Sequence, residues 1–416
     1  MKKLTVLYRG WGQSWPLGTL ADNGRALLFE YSAQALQQGL ELSPRHLKLR
    51  AAAYGDFPAH QWRLPGLVAD ALPDGWGLLL MDKQFRRAGQ EPGAVSVLDR
   101  LALIGGNAMG ALAFEPALTA ATAPQDWSLL ALAQEVQALQ QEAQHGIDGH
   151  ESVALAQLAL LGGSPQGARP KVLVNFEAAS GTVSAKPQAA GTPWLVKFAA
   201  LGEHPEVCAI EALYATLAAQ CGIQVPATRY FAISPTLSAL GSERFDRQGV
   251  LRVPTHTLAG LLHADFRLPS VDATTFLRAT RLLTRDEREV RKAYLRCVFN
   301  VAFHNRDDHA KNVSFCLTQD WHWQLSPAYD LTFSHGPGGE HHMDVCGEGK
   351  RPARAHLLRL AQEAEVPPDY ASRALATVCS VAAGFAKQAA AFDIRPATVR
   401  QIDALVQGNV EMLSNE

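Results

Sequence analysis

No apolar run in this 416-residue chain reaches the roughly 18 residues that a membrane-spanning helix requires. Cysteine is sparse and scattered: six residues, at 208, 221, 297, 316, 346 and 379, with no C-x-x-C pair. That pattern argues against a disulfide framework or a zinc ribbon. It fits a reducing cytosol, with most thiols acting as small core residues. Charge is in slight deficit at 19% of residues, and a net charge of −2 gives no global drive toward nucleic acid or acidic membranes. Lysine is scarce, 11 of the 38 basic residues, so a lysine in an apolar or glycine-rich setting is a less casual choice. The start, MKKLTVLYRGWGQ, has two lysines but then Arg9 and polar residues where a signal peptide has its apolar segment; it reads as a first strand. Repeats and strong low-complexity segments are absent. What remains is a chain, 47% hydrophobic, long enough for two or three domains with cores of their own.

Residues 1–60 alternate apolar and polar groups around turns, in LTVLYRG, GRALLFEYS and HLKLRAA, which predicts short strands. Residues 66–105 carry helical spacing, and GGNAMGALAFEP at 105–116 reads as a Gly-rich turn into a strand. A linker is expected at 117–128, a helix at 129–145, a polar break at 145–150 and a flexible loop at 186–193. A Gly-rich turn at 162–168 then leads into the strand KVLVNFE and a second strand, WLVKFA. Helical spacing runs from Glu206 to Cys221, with Gly222 as C-cap; ATRYFAIS and the segment around ERFDR read as further strands. Beyond about 260 the pattern is helical except at 313–332. The order strand, Gly-rich turn, strand with a lysine, helix with a glutamate, strands, then helices is that of a two-lobed kinase.

The most informative segment is His-Asn-Arg-Asp-Asp-His-Ala-Lys-Asn at 304–312, followed by Ser-Pro-Ala-Tyr-Asp at 326–330. Asp307 and Asn312 have the Asp-x-x-x-x-Asn spacing of a kinase catalytic loop, in which the Asp orients a hydroxyl and the Asn holds a metal. Asp330 stands where a second metal-binding Asp is required. Mg²⁺ takes oxygen ligands and keeps several waters, so one Asn, one Asp and phosphates suffice. His304, Asp307, Asp308 and His309 admit a metallohydrolase as an alternative, although His304 and His309 are five apart and no HExxH spacing is present. Asp308 reads as a neighbour without a catalytic role, and His309 and Lys311 as groups that brace the loop or neutralise phosphate.

Three further constellations each have a bland reading. The loop Gly162–Lys171 could fold amides over phosphates, with Lys171 adding a charge, or it could be a plain hairpin turn. Lys197, in an apolar strand, calls for a carboxylate or phosphate, with Glu211 the natural partner and Glu206 its rival; otherwise it is a snorkelling edge lysine. Glu243-Arg244-Phe245-Asp246-Arg247 is a kinase hinge or a solvated charged turn, and alone it favours the turn. His341 and His342, after a Gly-rich stretch, read as a mobile surface loop.

Together these segments resemble the HipA family of serine/threonine kinases, the toxin component of bacterial toxin–antitoxin pairs. The matching pieces are GGNAMGAL (105–112), SPQGARPK (164–171), WLVKF (194–198), EVCAIEALYATLAAQCGIQVPAT (206–228), ERFDR (243–247), NRDDHAKNVSF (305–315) and LSPAYDL (325–331), in family order. The resemblance implies Asp307 as the catalytic Asp, Asn312 and Asp330 as Mg²⁺ ligands, and Lys197 with Lys171 on the ATP phosphates. It implies Glu243 and Phe245 as the adenine-contacting hinge, Tyr329 beside the nucleotide, and Gly163 and Gly167 in the phosphate-covering loop. Glu211, His309 and Lys311 support the site. Ser164 falls on the serine that family members autophosphorylate to expel the Gly-rich loop, and the added charge of about −1.5 to −2 would be repelled by bound phosphates. Pro165 stiffens that loop. His263 sits where some relatives have a nucleotide-contacting glutamine.

The expectation is therefore an α+β, two-lobed protein-kinase-like fold. It has a β-rich N-terminal subdomain (1–118), a kinase N-lobe with its Gly-rich loop (119–258) and an all-helical C-lobe carrying the catalytic loop (259–416). The resemblance implies an ATP- and Mg²⁺-dependent, cytoplasmic kinase acting on a protein Ser or Thr; some family members phosphorylate aminoacyl-tRNA synthetases. A small helix-turn-helix antitoxin would be its partner. The chain shows no recognition helix with clustered Arg and Lys, so DNA would be reached only through that partner. The rivals are an ATP-binding pseudokinase that acts as a regulatory module, and a small-molecule kinase.

Overall fold

The apolar alternation at the start builds an antiparallel sheet of β1 (Lys3–Tyr8), β2 (Trp15–Asp22), β3 (Leu27–Tyr31), β4 (Ala53–Tyr54) and β5 (Leu112–Glu115), in the order β4-β3-β2-β1-β5. This computed structural model describes residues 1–118, 126–145, 167–184, 186 and 191–415. Strand β2 lies where Pro16 and Gly18 blur the alternation. The register with β1 slips between Val6 and Leu7, opposite Gly18 and Pro16, so the proline sits at a bulge. A side chain at Gly18 would collide with the Phe29 ring. The strand expected in HLKLRAA is absent: Leu47 is buried, but its amide closes a turn onto Ser43 and its carbonyl accepts from the Tyr31 hydroxyl.

A second sheet runs β10-β11-β9-β7-β8-β6, from β6 (Asp126–Trp127), β7 (Lys171–Glu177), β8 (Thr182–Ser184), β9 (Thr192–Phe198), β10 (Thr228–Ser234) and β11 (Leu237–Glu243). One face, including Val172, Val174, Trp194 and Val196, packs against Trp76 and Leu80 of helix Gly75–Arg87 and Leu132 and Val136 of helix Leu129–His145. Lys83, buried, and Glu142, half-buried, pair across these helices at 3.2 Å. Helix Gly75–Arg87 thus belongs to the core of the second sheet, although it precedes every strand of that sheet in the chain.

By its internal contacts the chain divides into two compact units: Met1–Cys208 with Arg229–His256, and Ala209–Thr228 with Thr257–Glu416. In the second, helices Ala273–Thr284, Glu287–Ala302, Arg354–Glu363, Pro368–Ala383 and Pro396–Ser414 surround an aromatic centre of Tyr214, Phe299, Phe303 and Phe385. Asp272 and Asp286 cap the first two helices by accepting from the amides of Thr275 and Arg288. The stretch set apart from the helical pattern, 313–332, carries a hairpin, Ser314–Leu317 with Trp323–Leu325. No described helix is long and apolar enough to cross a membrane.

Candidate active site

The 304–312 segment begins where helix Glu287–Ala302 stops. His304 takes a left-handed φ of 55°, which turns the chain sharply. Its ring is buried, stacks on Phe333, and places Nδ1 3.3 Å from Asn409 Nδ2. His304 therefore serves the scaffold. Among the described residues no group of three His, Cys, Asp or Glu side chains is gathered to hold a metal, so the metallohydrolase reading loses its ligand set.

Asp307, Asn312, Tyr329 and Asp330 line one hollow in the second unit. Asn312 donates from Nδ2 to the Asp307 carbonyl at 2.8 Å, which fixes its amide and leaves Oδ1 as the atom able to accept a hydrogen bond or meet a cation. His309 accepts the Lys311 amide at Nδ1, so its Nε2, 3.8 Å from Asp307 Oδ1, carries the proton. The Asp307 side chain is half-exposed. Partial burial raises its carboxyl above the usual range; His309 opposes this and Asp330 adds to it. Two carboxylates that repel each other would be relieved by a cation between them. Asp330 has φ 56°, an uncommon backbone for a non-glycine residue and one held by its surroundings. Arg296, fully buried, donates to the Ser326 carbonyl, and the Ala328 amide donates to Gln224 O, so the approach to Asp330 is tied down on two sides. The Tyr329 hydroxyl spans the Lys311 carbonyl at 2.7 Å and the Ser314 hydroxyl at 2.6 Å, bracing the loop. Lys311 lies with Nζ 4.1 Å from the Phe266 ring centroid. These donors are hard oxygens, the set Mg²⁺ prefers.

In the first unit, Lys171 of β7 and Lys197 of β9 are direct cross-strand partners. Both lie on the face opposite the helix-packed valines. Like charges placed opposite each other in a sheet repel, so the pair favours an anion over that face. Lys171 is buried and Lys197 half-buried. Gly167 has φ 110°, and a side chain there would occupy the position of the Lys171 ammonium. The Gly167 amide donates to Asp74, which anchors the base of the Gly-rich loop on the start of helix Gly75–Arg87. Gly163 and Ser164 lie outside the described residues. Glu211 is buried in helix Glu206–Gln220.

The ERFDR segment departs from its bland reading. Glu243 is exposed and Phe245 half-buried, but Asp246 is only 1% exposed and is paired with Arg244 at 2.8 Å and Arg247 at 2.6 Å. Asp246 also accepts the Gly110 amide, while Arg247 and Arg252 donate to the carbonyls of Ala108 and Gly110. The GGNAMGAL and ERFDR motifs are therefore one structure, a loop of carbonyls caged by arginines.

Residues 9–115 match the family model for the HipA N-terminal domain, and residues 163–385 match the one for the HipA-like C-terminal domain. The chain belongs to the HipA family. A comparison with curated proteins finds no match. Among solved structures, Shewanella oneidensis HipA, in complex with HipB and operator DNA, aligns over 99% of this chain and 97% of its own, at 18% identity and TM-score 0.69. That likeness covers both units and establishes the kinase-like α+β fold expected for the HipA family. The Helicobacter pylori proinflammatory kinase CtkA aligns over 54% of this chain and 89% of its own, at 9% identity and TM-score 0.38, too slight to argue from.

Sequence reasoning missed Arg306, Asp308 and His341. Asp308 is buried and accepts from His341 Nδ1 at 2.9 Å, and Arg306 donates to the carbonyls of Gly339 and Lys350. The doubled Asp beside a loop carrying two adjacent histidines was the available signal, but nothing in the local pattern joins residues 33 positions apart.

Proposed function

We propose that this protein is an ATP- and Mg²⁺-dependent kinase that phosphorylates Ser or Thr hydroxyls on a protein. The observation that carries the reading is the gathering of Asp307, Asn312 and Asp330 around one hollow. Asp307 orients the attacking hydroxyl, and Asn312 and Asp330 hold Mg²⁺, which neutralises charge on the phosphates. Lys171 and Lys197 neutralise the nucleotide phosphates, with Gly167 giving Lys171 room. Glu243 and Phe245 present backbone to the adenine, Tyr329 holds the catalytic loop beside it, and Glu211 supports Lys197. Ser164 is the autophosphorylated serine. By analogy with the Shewanella complex, a small helix-turn-helix antitoxin binds this protein and carries it to DNA. The protein acts in the cytoplasm, on a substrate class that includes aminoacyl-tRNA synthetases. The domains of this reading are the β-rich N-terminal subdomain at 1–118, the kinase N-lobe at 119–258 and the C-lobe at 259–416.

The test is transfer of label from γ-labelled ATP to casein and to the protein itself. We expect Mg²⁺-dependent label, abolished by EDTA and reduced about 100-fold or more in Asp330→Asn. Free labelled phosphate with no labelled protein would contradict a kinase.

A further inference from the structure

The segment after Asp330 is fastened beneath the catalytic loop at several points. Asn305 bridges Ser334 in parallel. Gly336, with φ 70°, passes so close to Arg306 that a side chain there would strike its Cβ at 2.7 Å. Arg306 then holds the carbonyls of Gly339 and Lys350. Asp308 does the finest work: Oδ2 faces His341 Nδ1 at 2.9 Å, and Oδ1 accepts from the amides of His342 at 2.8 Å and Met343 at 3.3 Å. Both side chains of the Asp308–His341 pair are under 10% exposed. A carboxylate that accepts three hydrogen bonds within one short segment fixes the path of that segment.

The consequence falls on His342. Its ring meets the His309 ring edge to face, with centroids 5.6 Å apart, and His309 Nε2 lies beside Asp307. Burial lowers the readiness of the His342 imidazole to take a proton. The His342 ring is therefore a wall against His309, whose Nε2 lies 3.8 Å from Asp307 Oδ1.

We propose that Asp308 is a positioning residue: through His341 and the amides of His342 and Met343 it sets His342 against His309 and Asp307, forming the wall along which the substrate hydroxyl reaches Asp307. This rests on the kinase reading and adds to it a segment fixed by Arg306 and Asp308, without need of a phosphate on that segment.

The experiment measures label transfer from γ-labelled ATP to casein, at varied Mg-ATP, for wild type, Asp308→Ala, Asp308→Asn, His342→Ala and the double variant Asp308→Ala/His342→Ala. Asp308→Ala and His342→Ala should each lower the maximal rate about 10-fold or more, while half-saturating Mg-ATP stays within about twofold. The double variant should be no slower than Asp308→Ala, because both changes remove one device. Asp308→Asn, which keeps an acceptor for the two amides, should retain the rate within about threefold. His342→Ala leaves the Asp308 clamp intact, so the test stands even if Asp308→Ala fails to fold. Additive losses, a wild-type rate in His342→Ala, or Mg-ATP affinity that falls in step with rate would overturn the positioning role alone. No transfer by the wild type would overturn the kinase reading and this role with it.

Discussion

His304 is held where a proton is costly. Burial, with Arg306 and two histidines nearby, lowers its imidazole to about 4. The unfolded chain titrates near 6.5, so between about pH 6.5 and 4 it takes up a proton that the folded protein refuses. Stability is therefore lost as pH falls through that window, by roughly 3 kcal/mol over its full width. Urea midpoints should fall from pH 7 to 4.5, and His304→Gln should flatten the fall; an unchanged slope would contradict the assignment. Asp246 acts in a different window. Burial works against its carboxylate, but Arg244 and Arg247 hold it well below the usual range, so its contribution stands above about pH 4 and is lost only in stronger acid. Asp246→Ala should cost about 3–5 kcal/mol at neutral pH, read by urea unfolding, because it strands buried guanidinium groups. A loss below about 1 kcal/mol would mark the cluster as solvated. Neither role was legible in the sequence. ERFDR reads as a surface turn until Gly110 and Arg252 are seen to close over it.

At the scale of elements, the cross-strand lysines Lys171 and Lys197 are the proposed phosphate contacts. Replacing Lys171 or Lys197 by methionine keeps the aliphatic stem and removes the cross-strand repulsion. Each variant should bind Mg-ATP about 10-fold or more weakly by calorimetry while still unfolding cooperatively on heating. Unchanged affinity would remove these lysines from the phosphate site. The strands that carry them were legible because their apolar alternation is strong and local. Strand β2 was not, because Pro16 and Gly18 are accommodated by a bulge that only the partner strand explains. HLKLRAA erred the other way: its leucines alternate, but Leu47 is buried through a turn onto Ser43. Helix Gly75–Arg87 was read correctly as a helix, but its place under the second sheet depends on the Trp76 indole, which donates to the Lys171 carbonyl at 3.1 Å.

Across the whole molecule, the grouping of residues 304–312 was legible because it is written in short fixed spacings. Asp307 and Asn312 sit four intervening residues apart, and the local fold joins them directly. Its support was not, because His341, Asn409 and Arg296 reach it from distant segments. The same fold also shows how geometry can mislead. Ser43, His256 and Asp70 line up at 3.0 and 2.6 Å like a hydrolytic triad, but Ser43 and His256 are fully buried and tie the first unit together. The central claim is phosphoryl transfer by Asp307. The direct measurement is intact-mass and phosphopeptide analysis of the purified protein after incubation with Mg-ATP, beside Asp307→Asn. The account predicts one added phosphate, on Ser164, in the wild type alone. Equal phosphate on both proteins, or none on either despite bound Mg-ATP, would contradict it.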